Sequence, residues 1–109
     1  MADDKIKVTP DGIAVLSPPP PLTTEIMQPV EALSAQMWPG IPVVLTMLVA
    51  ATDGRFLNNA GIPTYGISGM FRDIDGGGIH GLNERIRVKS LYEGQEFLYL
   101  LTKALSTSR

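Results

Sequence analysis

The sequence predicts an α/β layer, and three observations carry that expectation. Helical and strand-like periodicities alternate along residues 22–109. The run Pro42-Val43-Val44-Leu45-Thr46-Met47-Leu48-Val49 is almost unbroken apolar sequence, as in a strand buried on both faces of a helix-covered sheet. A helix-start signal, Thr52-Asp53, follows at once, and strand followed by helix is the unit from which such layers are built.

Taken in order, Ile6-Lys7-Val8-Thr9 alternates apolar and polar residues and predicts a half-buried strand. Asp11-Gly12 marks a turn, and Ile13-Ala14-Val15 a second short strand. Ser17 and the four prolines Pro18 to Pro21 form a stiff connector, because each proline fixes φ and removes a donor. We read it as an interdomain linker in preference to a ligand for an aromatic proline-binding groove. Thr23-Thr24-Glu25 can cap a helix running towards Trp38. Ile26, Val30, Leu33 and Met37 give it one apolar face, and Pro29 must sit in its first turn or kink it. Trp38-Pro39-Gly40 stops it. Thr52-Asp53 opens a short helix ending near Ala60-Gly61, and Ile62–Ile67 is the next strand. Asp75-Gly76-Gly77-Gly78 predicts a mobile loop, since glycine is the residue hardest to order. Ser90 with Glu93 reads as a capping box before the last helix, with Leu91, Leu98, Leu101 and Leu105 on one face. The chain thus divides into residues 1–21, strands and linker, and residues 22–109, a segment of an α/β domain.

Composition narrows the function classes. A chain of 109 residues can bury one core. With 44% hydrophobic and 18% charged residues it is globular, not disordered. The net charge of −2 and the lack of a basic patch argue against nucleic acid as a partner. The absence of cysteine removes disulfides, thiolate nucleophiles and cysteine-ligated zinc together. Residues 1–5 are polar, unlike a signal peptide, and the longest apolar run, Ile41 to Ala51, is shorter than the about 20 residues of a membrane span. A cytoplasmic protein without a membrane partner is expected.

Two places could carry chemistry. His80, the one histidine, follows the glycine loop, and loops concentrate binding residues. One imidazole does not make a zinc site, which needs three or four protein ligands. The second place is Ala51-Thr52-Asp53-Gly54-Arg55-Phe56, between a strand and a helix N-terminus, where ligands of open α/β sheets collect. On spacing alone, Thr52 or Asp53 is a helix cap and Arg55 is solvated. No Gly-x-Ser-x-Gly elbow or phosphate-loop pattern is present.

These residues nevertheless carry a resemblance. Ala51-Thr52-Asp53-Gly54-Arg55-Phe56-Leu57, Ala60-Gly61-Ile62-Pro63-Thr64-Tyr65-Gly66, and His80-Gly81 with Asn83-Glu84-Arg85-Ile86 occur in that order. They resemble the closing segment of the zinc-dependent exopeptidases and deacylases, a family that includes carboxypeptidase G, carboxypeptidase S, the aminoacylases and acetylornithine deacetylase. Val88 to Gly94 continues the match. Ser17-Pro18-Pro19 and Met37 to Pro42 resemble the passage from that family's lid domain into its catalytic domain. The resemblance implies a partial three-layer α/β catalytic-domain segment, with residues 1–21 ending the lid. It implies that His80 ligates one of two zinc ions, and that Thr52, Asp53, Gly54 and Arg55 line the carboxylate end of a pocket for a peptide or N-acyl amino acid. A guanidinium suits that carboxylate because its fork meets both oxygens. Asp53 is expected to hold the turn or Arg55. The family's other ligands lie in a His-x-Asp motif, a lone aspartate and a Glu-Glu pair that includes the general base. This chain has no second histidine and no adjacent glutamates. The expectation is therefore a hydrolase segment inactive alone, or, as the alternative, a non-catalytic module that self-associates or binds a partner. A homo-oligomer is expected, because a segment of a larger layer exposes a sheet edge.

Overall fold

The computed structural model describes residues 4–9, 11, 15–47 and 51–107. Its elements are the helices α1 (Thr24–Met37), α2 (Gly54–Asn59) and α3 (Val88–Thr107), with a 3₁₀ turn at Gly76–Gly78 between α2 and α3. The chain falls into two compact units. One comprises Met1–Pro20 and Val49–Tyr65, the other Pro21–Leu48 and Gly66–Arg109.

The second unit holds the core. The α1 helix starts where expected: Thr23 is extended (φ −83°, ψ 156°) and its carbonyl accepts from the amides of Ile26 (3.1 Å) and Met27 (2.9 Å), without a cap from its side chain. Pro29 lies inside the helix, past the first turn, so the bond its amide would make to Glu25 is missing. The helix closes on a hydrogen bond that the Trp38 amide donates to the Ser34 carbonyl (2.8 Å). Val30 is buried, and Leu33 and Met37 pack beside it, as the spacing predicts. Opposite stand Phe97, only 1% exposed, and Leu101 on α3. Trp38 joins the two helices, with its ring 5.4 Å from Phe97 and edge-on to Phe71 at 4.9 Å.

Two readings of α3 need correction. The helix begins at Val88, so Ser90 is not a cap in front of it but a buried residue of its first turn. Its inward face is Ser90, Gly94, Phe97 and Leu101, while Leu91 and Leu98 stay exposed. Gly94 sets this rotation. A Cβ there would lie 2.4 Å from Cγ of Met70 and 3.1 Å from the Ser68 carbonyl, so the smallest residue is needed where residues 68–70 cross the helix.

The α/β expectation fails. Among the described residues every regular element is helical and none is a strand, so the three-layer sheet is absent from them. The segments read as strands are exposed instead: Ile6 and Val8 by 67% and 86%, Val44, Leu45 and Met47 by 69%, 60% and 89%. Residues 13–14 and 48–49 of two expected strands lie outside the described residues. Hydrophobic alternation reports that a segment suits a ladder, but a ladder also needs a neighbour to complete its hydrogen bonds. None of these segments finds one among the described residues. No helix among them is long and apolar enough to cross a membrane.

Candidate functional site

Thr52, Asp53, Gly54 and Arg55 lie in the first unit, and His80 lies in the second. Each place is built by its own local sequence.

In the first unit, the carbonyls of Thr52 and Asp53 accept from the amides of Arg55 (3.3 Å) and Phe56 (3.0 Å), which starts α2. Asp53 occupies the N-cap position in helical conformation, and its carboxylate makes no cap bond. Asn58 Oδ1 accepts from the Thr64 amide at 2.7 Å, and this brings Thr64 against Gly54. Asn59 Nδ2 donates to the Leu16 carbonyl at 2.9 Å, holding the start of the proline segment to α2. Arg55 lies with its guanidinium 4.7 Å from the centre of the Phe56 ring. Its Nε–H is shielded from solvent and has no partner among the described residues. A shielded donor on a cation, left unpaired, costs about 1–3 kcal/mol and favours the approach of an anion.

In the second unit, the glycine loop is not the loose segment its composition suggests. Asp75 Oδ1 accepts from the Gly77 amide (3.0 Å), the Gly77 carbonyl accepts from the Arg85 amide (2.8 Å), and the Gly78 carbonyl accepts from the Gly81 amide (2.8 Å). Gly77 is buried at φ 70°, and a Cβ on it would stand 2.6 Å from the Arg85 carbonyl. Only glycine meets both conditions. The arms on either side are laced by charge. Arg85 pairs with Asp75 and lies 3.9 Å from Asp73, and Arg87 pairs with Asp73. The Gly77 amide, and after it the Arg85 guanidinium, hold the Asp75 carboxyl below its ordinary value of 3.8.

This frame fixes His80. It is exposed and has φ 61°, the one positive φ among described residues other than glycine. Its amide donates to Oε2 of Glu84 at 3.3 Å. A histidine held in the left-handed region is uncommon and points to a position set by its surroundings. Beside the turn opens a cleft of about 410 Å³ lined by Met70, Arg72, Glu84, Arg85, Ile86 and Leu91, among others. His80 is not among its lining residues.

Over residues 5–104 the chain matches the model of Peptidase family M20/M25/M40. The chain belongs to that family. The M20/M25/M40 match spans both the Thr52–Arg55 turn and the His80 segment. Neither the curated proteins nor the solved structures gave a match. The M20/M25/M40 peptidases are generally metal-dependent, so the fit of this chain's residues to a metal was tested on their placement. Among the described residues no group of three or more His, Cys, Asp or Glu is placed to hold an ion. His80 and Glu84 make at most a pair, and a closed zinc site takes four ligands. These residues alone do not fit the ion.

The Asp73, Asp75, Arg85 and Arg87 lattice was not anticipated. A signal for it is present: acids two apart before the glycines, bases two apart after them. That spacing puts each pair on one side of its arm.

Proposed function

We propose that this chain is the C-terminal segment of an M20/M25/M40 metallopeptidase or amidohydrolase acting on a C-terminal peptide residue or an N-acyl amino acid. The observation that carries the reading is the family match over residues 5–104. In it, His80 is a ligand to zinc, presented outward from the tied glycine turn. Thr52, Asp53, Gly54 and Arg55 line the pocket at the substrate's carboxylate, where the unpaired Nε–H of Arg55 offers a charged donor. The second half of the proposal is that the chain by itself does not turn over substrate. One histidine and a neighbouring glutamate supply neither a complete ligand set nor a separate general base, and metal-assisted hydrolysis needs both.

The test is an assay of the purified chain with added zinc against N-acyl amino acids and dipeptides, beside zinc calorimetry. No turnover and weak, non-stoichiometric zinc binding are expected. Turnover that His80→Ala abolishes would refute the inactivity. The segment reading is tested separately: the coding DNA upstream should continue in frame through His-x-Asp and Glu-Glu motifs.

A further inference from the structure

A peptide bond from aspartate to glycine can rearrange. The glycine nitrogen lies within reach of the aspartate Cγ, and glycine has no side chain to obstruct the approach. Such bonds occur here at Asp11-Gly12, Asp53-Gly54 and Asp75-Gly76. Gly12 lies outside the described residues. The other two pairs start from similar backbone, with Asp53 at φ −64°, ψ −16° and Asp75 at φ −78°, ψ 4°. What separates them is restraint.

At Asp75 both reacting groups are held. Oδ1 accepts from the Gly77 amide, and Oδ2 pairs with Arg85. The nitrogen that would attack, that of Gly76, donates to the Asp73 carbonyl at 2.9 Å. Turning ψ of Asp75 towards attack would also pull the Gly77 carbonyl from the Arg85 amide. At Asp53 neither group is held. The carboxylate is exposed and makes no cap bond. Among the described residues neither it nor the Gly54 amide has a hydrogen bond or ion pair. Turning ψ of Asp53 breaks only the bonds from Arg55 to Thr52 (3.3 Å) and from Phe56 to Asp53 (3.0 Å). They start α2, which has 6 residues, and so short a helix holds its first turn weakly.

We propose that the Asp53–Gly54 bond of the folded chain is a site of isomerisation to isoaspartate, and that the glycine turn protects Asp75–Gly76 from the same reaction. In the first step the Gly54 nitrogen bonds to Cγ of Asp53 and gives up its proton, while Cγ expels its hydroxyl; the two leave as water. The cyclic imide then takes back a water. Opening at Cγ restores aspartate. Opening at the main-chain carbonyl leaves the chain running through Cβ and Cγ, with a free α-carboxylate. Nothing is oxidised or reduced, and the mass is unchanged. The product carries one more main-chain carbon between Asp53 and Gly54, which takes the Arg55 amide out of register with the Thr52 carbonyl. On the peptidase reading this change falls in the substrate pocket, but the chemistry does not depend on that reading.

The experiment warms the full chain at neutral pH, folded and in concentrated urea. Isoaspartate at each pair is followed by electron-transfer fragmentation, which distinguishes it from aspartate at equal mass. In the folded chain it should form at least tenfold faster at Asp53 than at Asp75. In urea the two rates should converge, because each aspartate then has the same neighbour and no restraint. Arg85→Ala should raise the Asp75 rate several-fold and leave the Asp53 rate as it was, with the far-UV helical spectrum unchanged. If that variant unfolds, the comparison of folded and unfolded wild type decides alone. Equal folded rates at the two sites, or a slower one at Asp53, would overturn the proposal. A folded Arg85→Ala that leaves Asp75 as inert as before would overturn the protective role of the turn.

Discussion

The helix α3 and the segment Pro42–Met47 belong to one unit and are both rich in large apolar residues, yet they meet opposite environments. On α3, Phe97 is sealed against Val30, Leu101 and Trp38. In the segment, Met47 keeps 89% of its surface. The difference lies in the partners. A helix completes its hydrogen bonds within itself and needs only one apolar face covered. A strand needs a neighbour on its edges before burial can begin. Hydrophobic sequence becomes core only where the backbone has first been satisfied.

The sharpest way to break this comparison is to delete one side chain from each region. Phe97→Ala should cost about 3–5 kcal/mol, enough to remove a cooperative thermal transition from so small a core. Val44→Ala, measured at a concentration where the chain is monomeric, should fall within about 0.5 kcal/mol of wild type. Equal effects, followed by circular dichroism on heating, would show that the segment is buried in solution and the contrast is false.

A smaller effect probes how tightly α3 is held. Gly94→Ala places a methyl against Met70 and should cost about 1–3 kcal/mol by overpacking. Adding Met70→Ala should recover part of the loss in urea denaturation. If Gly94→Ala alone stabilises, as alanine does in a free helix, residues 68–70 do not pack on α3.

The smallest effect concerns pH. The Asp75 carboxyl is held below 3.8 by the Gly77 amide and then by Arg85. A group with a depressed folded value stabilises fully above its unfolded value, and that contribution is lost as pH falls through the folded one. Stability should therefore decline below about pH 3.8 more steeply in wild type than in Asp75→Asn. Denaturant midpoints at a series of acidic pH values measure this. Parallel acid limbs would mean that the turn does not depend on the carboxylate.

How much was legible follows from where each piece of information sits. The α1 and α2 helices could be read because start signals and 3.6-residue spacing are local, and both begin and end close to the expected residues. The strands could not be confirmed from the same pattern, because pairing is a property of two segments. Counting leucines gave half of the α3 face: Leu101 and Leu105 lie at the core, whereas Leu91 and Leu98 are exposed. Gly94 and Phe97 decide the packing, one by being small and the other by being large. The glycine turn was misjudged for a related reason: composition reports the entropy of Gly76, Gly77 and Gly78, while the bonds that tie Gly77 come from Asp75, two positions before it, and from Arg85, eight positions after it. At the candidate sites the residue types were legible and their settings were not. Arg55 rests on Phe56 with a shielded Nε–H, and His80 takes a left-handed backbone. Neither detail leaves a trace in residue spacing.

The bond from Asn59 to the Leu16 carbonyl has a chemical lifetime as well as a length. It spans 43 residues of sequence and depends on an amide N–H₂, and asparagine is among the residues that degrade with heat and age. Hydrolysis of that amide, with water added and ammonia released, would leave a carboxylate facing a carbonyl, two acceptors with no proton between them. The proline segment would then be released from α2 without any peptide bond being cut. A gain of one dalton and the appearance of a new cleavage site near Ser17 would record the event in an ageing sample.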